Sequence, residues 1–520
     1  MKMDLKVVLF YLILFISILA FCATGTGYDF DLWARLLIGM YFMQTGHVLK
    51  EDLVSYTPTH TLYDHEWGSS IIFYITQQLG GSVGILLLQV FLAFFIFVVM
   101  SKIIKLRGVK TTSPYNYLFY FFSFIAMVDL VDQLVRCQLF SFLLFTVFIY
   151  ILELARKGEN RPLWALPFIM IIWNNLHGGC IAGIGIILIY AAGELLNRKP
   201  FKKYIFAFLG TIAVLPINPW GLEYLSFFVK AHTMHRLGII EWYWLFHPFF
   251  RKFDYLYFKL LALVLIFFEI IYIFKAKKEK TFNFDATKYL AIAATLFLGI
   301  QHVKLIPLCV ITWSVFLYDD FYTVFNALTF NILNKNTKLR KIKEIIVYYM
   351  IALFVMININ KENFKPYINF YKFPVLPIEF IKINNLEGNI FVNYGVGSYT
   401  TYKLYPHNKV YIDGRYEEAY YDYLMPIMEN FLHARKGWEG LLKTFPPKII
   451  VVEKPYPVFE VLKHRPDWKL VFEDSFYGVF VRTEDVKDKY LLPRRDIEYY
   501  RKTIFDTDAN FKNFSTKKTQ

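Results

Sequence analysis

The feature that most constrains this chain is an alternation of long apolar runs with short loops rich in lysine and arginine. The basic segment 1–6 precedes a first apolar run over 7–25, and a later run ends at Met100, before SKIIKLRGVK. The other basic loops read ARKGENR, NRKPFKK, KAKKEK and NKNTKLRKIK. Loops on the cytoplasmic side of membrane proteins carry an excess of Lys and Arg. The pattern predicts a polytopic α-helical membrane protein of about eleven spans, with its N-terminus inside and its C-terminus outside.

Composition agrees with this class and excludes others. Of the 520 residues, 56% are hydrophobic and 19% are charged, whereas a soluble domain carries about 25% charged residues. The net charge of +15 does not indicate a nucleic-acid partner, because the cations lie between apolar runs. The four cysteines lie far apart within apolar runs, so they indicate core positions rather than disulfides or a metal site.

The loops predicted to lie outside have a different chemistry. They mix Asp, Glu, His, Asn and Trp, as in MVDLVDQLVR, WNNLHGG, EWYW and QHVK. The largest one, residues 26–70, holds six carboxylates and three histidines between Tyr28 and Trp67, but only two cations, Arg35 and Lys50. Such a mixture on one face favours a functional site over a simple topology signal.

The first outer loop has enough apolar residues to be structured. WARLLIGMYFMQTG carries apolar residues at helical spacing and predicts an amphipathic helix at the membrane interface, ending at Gly46. An extended stretch follows, and HEW opens the next membrane helix. Helix capping by Asp31 and Asp64 is the structural alternative. It accounts for one Asp at each place and does not account for Asp29, Asp52 or Glu66.

The C-terminal part predicts a second kind of structure. After the membrane domain, 1–359, hydropathy drops over a linker, 360–384, and five short alternating segments indicate strands within a small α/β domain, 385–485. These segments are GNIFVNY, NKVYIDG, PKIIVVE, WKLVFED and YGVFVRT. YGVGSY lacks the spacing of a dinucleotide fingerprint, and IDGR predicts a structural turn held by an Asp–Arg pair. A polar, mobile tail, 486–520, ends the chain.

The loop motifs carry a resemblance. D-x-D-x-W-x(5)-G at Asp29, then GHVLKEDLVSYT and DHEW, resemble the first loop of a bacterial group within the GT-C glycosyltransferase superfamily. These polytopic enzymes are similar to protein mannosyltransferases and use polyprenyl-phosphate sugars. RCQLFSFLLF, WNNLHGG, IIEW, HVKLIPL, NYGVGSY and YIDGRYE are also similar to that group. The chain departs from the group's pattern at Arg35, Leu37 and Cys137, so the resemblance gives Arg35 and Leu37 no role.

The resemblance implies an inverting sugar transfer in which a first-loop carboxylate acts as general base. Asp31 is favoured, with Asp29 second, because both follow span one at headgroup level. Arg136, Arg236 and Lys304 are candidates for stabilising the departing phosphate, although an interfacial snorkelling cation is the structural alternative for each. The substrate-binding candidates are Asp52, Asp64, His65, Glu66, Trp67, Arg136, Asn174, His177, Glu241 and Lys304.

The expected partners are a polyprenyl-phosphate-linked sugar donor, a glycan, lipid or protein acceptor, and membrane lipid. No cofactor is required, and a divalent cation stays open because acidic and His residues lie close in sequence. Two other functions stay open as well. A transporter or flippase of lipid-linked sugars would need polar groups in mid-membrane and internal repeats, and an inactive member of the same architecture would look alike in one sequence.

Overall fold

The computed structural model describes residues 5–23, 27–109, 114–127, 135–234, 239–333 and 369–508. The chain divides into two compact units. The helical unit comprises Met1–Thr26 and Leu86–Lys365, and the sheet unit comprises Gly27–Ile85 and Pro366–Gln520. The sequence grouped residues 26–70 with the membrane domain, whereas by contacts this segment groups with the C-terminal part of the chain.

The described residues up to 333 are mostly helical. The helices are α1 (Leu5–Ala23), α2 (Leu32–Thr45), α3 (Trp67–Leu106), α4 (Pro114–Ala126), α5 (Gln138–Arg156), α6 (Ala165–Leu176), α7 (Ile181–Leu196), α8 (Lys202–Ala213), α9 (Glu223–Thr233), α10 (Leu256–Lys278), α11 (Ala286–Gln301), α12 (Ile306–Phe316) and α13 (Tyr318–Leu333). Helix α3 is interrupted at Gly81, whose backbone has φ 54° and ψ −142°.

The predicted count of about eleven spans is not supported. Among the described residues, four helices are long and apolar enough to cross a membrane, or five if the bent pair Val303–Phe316 and Tyr318–Ala327 forms one span. Several predicted spans are short helices instead. Helix α8 has 12 residues, which rise about 18 Å, whereas the hydrocarbon core is about 30 Å thick. The predicted last span, 345–359, lies outside the described residues.

Charged side chains at helix ends form a buried network in the helical unit. Arg156, at the end of α5, lies 2.9 Å from both Glu194 and Asp285 and 3.2 Å from Glu153. Arg107 pairs in the same way with Glu153 and Asp319, and Lys288 pairs with Glu269 and Asp320. The loops described from sequence as simple Lys/Arg runs are therefore flanked by carboxylates that pair with some of their cations. Ion pairs buried in this way hold specific helix ends together.

Helix α2 of the sheet unit ends at Gly46 as predicted. Gly46 adopts a left-handed φ of 74° and its N–H donates to Phe42 O at 2.8 Å, which is a glycine C-cap. The predicted single apolar stripe is not seen over residues 32–40, because every residue there is buried. The start of the helix therefore packs inside the protein on all sides, and its location at a membrane interface stays a prediction. Gly39 allows that packing, since a Cβ there would lie 2.2 Å from Ser70 O in α3.

All five predicted strands form one sheet. The strands are β1 (Gly388–Phe391), β2 (Asn408–Val410), β3 (Ile449–Glu453), β4 (Trp468–Glu473) and β5 (Tyr477–Arg482). Their order is β2-β1-β3-β5-β4, with β1 parallel to β2 and β3, and β5 antiparallel to β3 and β4. The first loop extends the β2 edge, because Tyr56 N–H donates to Val410 O at 3.0 Å and Val410 N–H donates to Val54 O at 2.9 Å.

Short helices connect the strands. They are α14 (Val375–Ile383), α15 (Tyr394–Leu404), α16 (Tyr416–Ala419), α17 (Leu424–Leu432), α18 (Gly440–Thr444), α19 (Pro457–Lys463) and α20 (Ile497–Thr503). YGVGSY begins α15, which Asn393 caps through Val396 N–H at 3.1 Å. Residues of the predicted polar tail pack against this helix, because Lys403 Nζ donates to Thr503 O at 3.0 Å. The tail residues up to 508 are therefore packed against the domain, rather than mobile as predicted.

Candidate functional site

The Asp29–Asp31 pair lies at the start of α2 in the sheet unit. Asp29 is fully buried, and its Oδ1 accepts a hydrogen bond from Asp31 N–H at 2.9 Å. Asp31 is half-buried and precedes the helix, but its side chain makes no capping hydrogen bond. Capping therefore does not account for Asp31. It does account for Asp64, whose Oδ1 accepts from Glu66 N–H at 2.8 Å where α3 begins.

Arg35 lies one turn further along α2 and gathers carboxylates from distant parts of the chain. Its Nη1 lies 2.5 Å from Asp64 Oδ1, its Nη2 lies 2.8 Å from Glu418 Oε2, and its Nε lies 3.4 Å from Glu66 Oε2. His65 Nδ1 lies 3.2 Å from the other oxygen of Glu418. These five residues are called the Arg35 cluster. One guanidinium thus faces three carboxylates, of which Asp64 and Glu418 are buried and Glu66 is half-buried.

The surroundings of Glu418 in the Arg35 cluster shift the pKa of its carboxyl. Burial raises the pKa of its carboxyl well above the usual range, and Asp64 and Glu66 raise it further, against the opposite effect of Arg35. A buried carboxylate favours its neutral form when nearby charges do not compensate it. Glu418 is therefore disposed to keep its proton.

A second ionic group surrounds Arg415, in the IDGR turn. Its guanidinium makes a bidentate pair with Asp413, with Nε 2.9 Å from Oδ1 and Nη2 2.9 Å from Oδ2. Its Nη2 also lies 2.7 Å from Asp52 Oδ1, and the Tyr420 hydroxyl donates to Asp413 at 3.0 Å. The predicted Asp–Arg pair of this turn is confirmed. Asp52, from the first loop, completes the group, which is called the Arg415 cluster.

Arg415 also sets the ionisation of Asp52. Burial alone raises the pKa of this carboxyl, but the guanidinium and the hydrogen bonds from Arg415 and Ser55 outweigh burial, so the pKa lies below its usual value. Asp52 therefore stays ionised as an internal counter-charge.

The structure brings together most of the acidic residues predicted for substrate binding in the first loop, and it places them in internal ion pairs. Asp64, His65 and Glu66 belong to the Arg35 cluster and Asp52 to the Arg415 cluster. Trp67 opens α3 and packs its ring 5.8 Å from that of Phe42. Sequence reasoning missed the partners of these residues. The sequence held one indication of these partners, because Arg35 is one of only two cations in the acidic loop.

In the helical unit, three predicted site residues meet although they lie far apart in sequence. Arg136 Nη1 lies 2.5 Å from Glu241 Oε2, and Lys304 Nζ lies 2.8 Å from Glu241 Oε1. Lys304 also lies over the Trp242 ring, 5.1 Å from its centroid. Arg136, Glu241 and Lys304 are called the Glu241 cluster. Arg236, the other predicted cation, lies outside the described residues.

The Glu241 cluster joins two cations to one carboxylate and is partly open. Burial raises the pKa of Glu241, but Lys304 and Arg136 lower it more strongly, so its carboxyl stays ionised well below the usual pKa. Two cations then share one carboxylate. Their side chains are 21% and 19% exposed, which leaves both accessible. This arrangement can bind an anion such as a phosphate, because charge-assisted hydrogen bonds from Arg and Lys suit phosphate oxygens.

Asn174 and His177 belong to a buried polar network near the end of α6. Asn174 Nδ2 donates to Leu215 O at 2.9 Å. His177 Nδ1 accepts from Gly179 N–H at 3.0 Å and lies 2.7 Å from Ser141 Oγ, which in turn accepts from Trp173 Nε1 at 2.6 Å. The hydrogen bonds of His177 hold the turn between α6 and α7, and that of Asn174 ties the end of α6 to Leu215. Both residues therefore have a structural role.

Comparison with solved structures identifies the architecture. An oligosaccharyltransferase from Archaeoglobus fulgidus, solved with a tethered acceptor peptide containing the NVT sequon, superposes with a TM-score of 0.56 at 10% identity, over 87% of this chain and 69% of that one. The arabinofuranosyltransferase AftD from mycobacteria superposes with a TM-score of 0.52 at 12% identity, over 91% of this chain. The chain has a GT-C-like fold.

The GT-C-like fold is the one that the resemblance of the first-loop motif implies, and the likeness to protein mannosyltransferases stays a prediction. This chain spans only 39% of the length of the arabinofuranosyltransferase. Comparison with protein-family models and with curated protein sequences found no match. Both solved neighbours are named as enzymes that transfer sugars, one an oligosaccharyltransferase and the other an arabinofuranosyltransferase.

On this GT-C-like fold, the acidic residues do not assemble a metal-binding geometry within the described ranges. No group of three or more His, Cys, Asp or Glu side chains among those residues is placed to hold a metal ion. In the Arg35 cluster, the guanidinium occupies the position between the carboxylates that a cation would need.

Proposed function

We propose that this protein is an integral-membrane glycosyltransferase that moves a sugar from a polyprenyl-phosphate donor to an acceptor hydroxyl, with inversion at the anomeric carbon. The observation that carries the proposal is a GT-C-like fold with a half-buried carboxylate, Asp31, in its first loop. Loops rich in Lys and Arg tend to lie on the cytoplasmic side of a membrane. The basic loops between apolar runs therefore support a first loop, and with it a site, at the outer face of the cytoplasmic membrane. The acceptor is a glycan, a lipid or a protein.

The chemistry assigns different tasks to the two first-loop aspartates. Asp31 removes the proton from the acceptor hydroxyl as the new bond to the anomeric carbon forms and the bond from that carbon to the phosphate oxygen breaks. The phosphate leaves with the bonding electrons, and Asp31 keeps the proton. Asp29 is fully buried and holds the backbone of Asp31 through its N–H, so Asp29 is a positioning residue. A general base must reach the proton it removes, and only Asp31 of the pair is partly exposed.

Within the helical unit, the Glu241 cluster is proposed as an anion site for the donor phosphate. Arg136 and Lys304 both contact Glu241, and their side chains are 21% and 19% exposed. Charge-assisted hydrogen bonds from Arg and Lys suit phosphate oxygens. Glu241 holds both cations in place in this proposal.

The test is sugar transfer in membranes from a panel of polyprenyl-phosphate hexoses and pentoses. Wild type, Asp31→Asn, Asp29→Asn and the control Asp422→Asn are compared at matched expression, because Asp422 is an exposed aspartate of the same unit. Wild type and the control are expected to transfer equally, and Asp31→Asn is expected to lose about 10²-fold or more, the usual value of acid–base catalysis. The product anomer should be opposite to that of the donor.

Two results would contradict the proposal. Equal transfer by wild type and both first-loop variants would show that the carboxylates are structural. Failure of wild type to use every donor in the panel would favour a flippase or an inactive member of the architecture.

A further inference from the structure

Gly414, in the IDGR turn, has too little space around it for a side chain. Its φ lies outside the left-handed region, so backbone conformation does not require glycine there. A Cβ at this position would lie 3.0 Å from Asp31 Oδ1 and 3.0 Å from Ser398 Oγ. Both distances are shorter than an ordinary contact of a carbon atom with oxygen. The missing side chain thus leaves room for the carboxylate of Asp31.

The turn that carries Gly414 is fixed from several directions. Gly414 N–H donates to Ser398 Oγ at 3.0 Å, and the Tyr394 hydroxyl donates to Gly414 O at 3.2 Å. Both partners lie in α15, which approaches the turn so closely that a Cβ at Gly397 would lie 2.3 Å from Ile412 O. The neighbouring residue Arg415 is held in its own cluster of ion pairs.

Asp31 is fixed on its other side as well. Its N–H is bound to the buried Asp29, and Trp33, two residues later, packs its ring 5.0 Å from Tyr399 and 5.5 Å from Tyr402 in α15. Arg35, one turn further, pairs with Glu418 in the Arg35 cluster. The backbone of Asp31 and the turn it faces are thus both anchored to the C-terminal α/β domain.

We propose that the Gly414 turn, with Ser398 behind it, positions the carboxylate of Asp31 for proton abstraction, so that the C-terminal α/β domain is a working part of the catalytic site. The proposal rests on the proposed function, in which Asp31 is the general base. It gives YGVGSY and YIDGRYE a common task, because these motifs supply Tyr394, Ser398 and Gly414.

The test is the effect of Gly414→Ala on sugar transfer in two backgrounds. In the wild-type background, the methyl group should displace the carboxylate by a few tenths of an ångström and lower kcat by about 10-fold, since a misplacement of about 1 Å can cost 10²-fold. The donor KM should stay within about 2-fold, because the turn acts on proton transfer. In the Asp31→Asn background, Gly414→Ala should have no further effect on the residual rate, because the group it positions is already inactive.

Gly440→Ala is the matched control. Gly440 belongs to the same α/β domain, and a Cβ there would meet nothing within 4 Å, so this variant should transfer as wild type does. Thermal unfolding of each variant checks that the fold is retained.

The outcomes separate this proposal from the proposed function. Equal losses from Gly414→Ala in both backgrounds would show a general structural effect and overturn the positioning role. A wild-type rate in Gly414→Ala, with Asp31→Asn inactive, would also overturn it while leaving the proposed function intact. Full activity of Asp31→Asn would overturn the proposed function itself.

Discussion

The guanidinium of Arg35 lies 2.8 Å from the carboxylate of Glu418, although 383 positions separate the two residues in the chain. The pair links the first loop to the C-terminal α/β domain within one compact unit. Both side chains are only 4% exposed. The loop that carries Asp31 therefore depends on a domain encoded at the other end of the sequence.

Replacing Arg35 should destabilise the sheet unit strongly. Arg35→Met leaves Asp64, Glu66 and Glu418 buried without their cation, and breaking a buried ion pair in this way costs about 3–5 kcal/mol of unfolding free energy. Thermal unfolding of the detergent-solubilised protein measures the effect. Arg435→Met, at an exposed position of the same unit, should unfold as wild type does, and equal stability of the two variants would contradict the account.

A second substitution should recover part of that loss. Adding Glu418→Gln to Arg35→Met replaces a buried acid, which faces Asp64 and Glu66 without Arg35, by a neutral amide, so the double variant should be more stable than Arg35→Met alone. Neighbours in one ionic network are coupled, so their effects do not add. A double variant that loses the sum of both single losses would show that the two residues act independently.

Local pattern predicted much of this fold, because strands and helix ends depend on nearby residues. The five strands follow alternation within a few positions, and Gly46 marks its helix end through its own backbone. Arg35 and Glu418 could not be paired, because one sequence does not show which of its 42 acidic residues meets a given cation. The span count failed because hydropathy does not distinguish a short apolar helix such as α8, of 12 residues, from a full span.

Sequence patterns pointed to the residues of the candidate site, but the contacts between these residues could not be predicted. Asp31, Arg136, Glu241 and Lys304 were all expected, and the last three do come together in the helical unit. The role of Gly414 was not expected, because a glycine that makes room for a carboxylate leaves no chemical signal of its own. The proposed role rests on the packing of Gly414 against Asp31 and Ser398.

Orientation in the membrane can be tested by labelling introduced cysteines. The four native cysteines are buried, so they give a low background. Cysteine at Asp422, predicted to lie outside, should react with a membrane-impermeant maleimide in intact cells. Cysteine at Lys199, which is exposed and predicted to lie inside, should react only after the membrane is opened. The reverse labelling pattern would refute the predicted orientation.

Lys304 should contribute to donor binding through its charge. Lys304→Met removes one of the two cations that share Glu241, and a hydrogen bond to a charged group contributes about 1.5–3 kcal/mol, so the donor KM should rise about 10–100-fold. Initial rates over a range of donor concentrations measure this. Lys252→Met, at an exposed lysine of the same unit, is the control. An equal donor KM in both variants would contradict the proposed anion site.

Glu453 should make the stability of the sheet unit depend on pH. Burial raises its pKa from 4.5 to about 7, against a smaller lowering by Asn393. The folded protein then keeps a proton that the unfolded chain loses, so the contribution of this group to stability falls as pH rises between these two values and is constant above them. Unfolding temperatures of wild type and Glu453→Gln at about pH 5 and about pH 8 measure it. Wild type should lose more stability than the variant over this interval, and an identical pH dependence in both proteins would contradict the raised pKa.

The central claim is that Asp31 abstracts the acceptor proton, and a single-turnover experiment on purified Asp31→Asn tests it most directly. Donor is bound first, its affinity is measured, and transfer is then started with acceptor. The account predicts donor affinity within about 2-fold of wild type and a transfer rate lower by about 10²-fold or more. A transfer rate equal to that of wild type would contradict the claim.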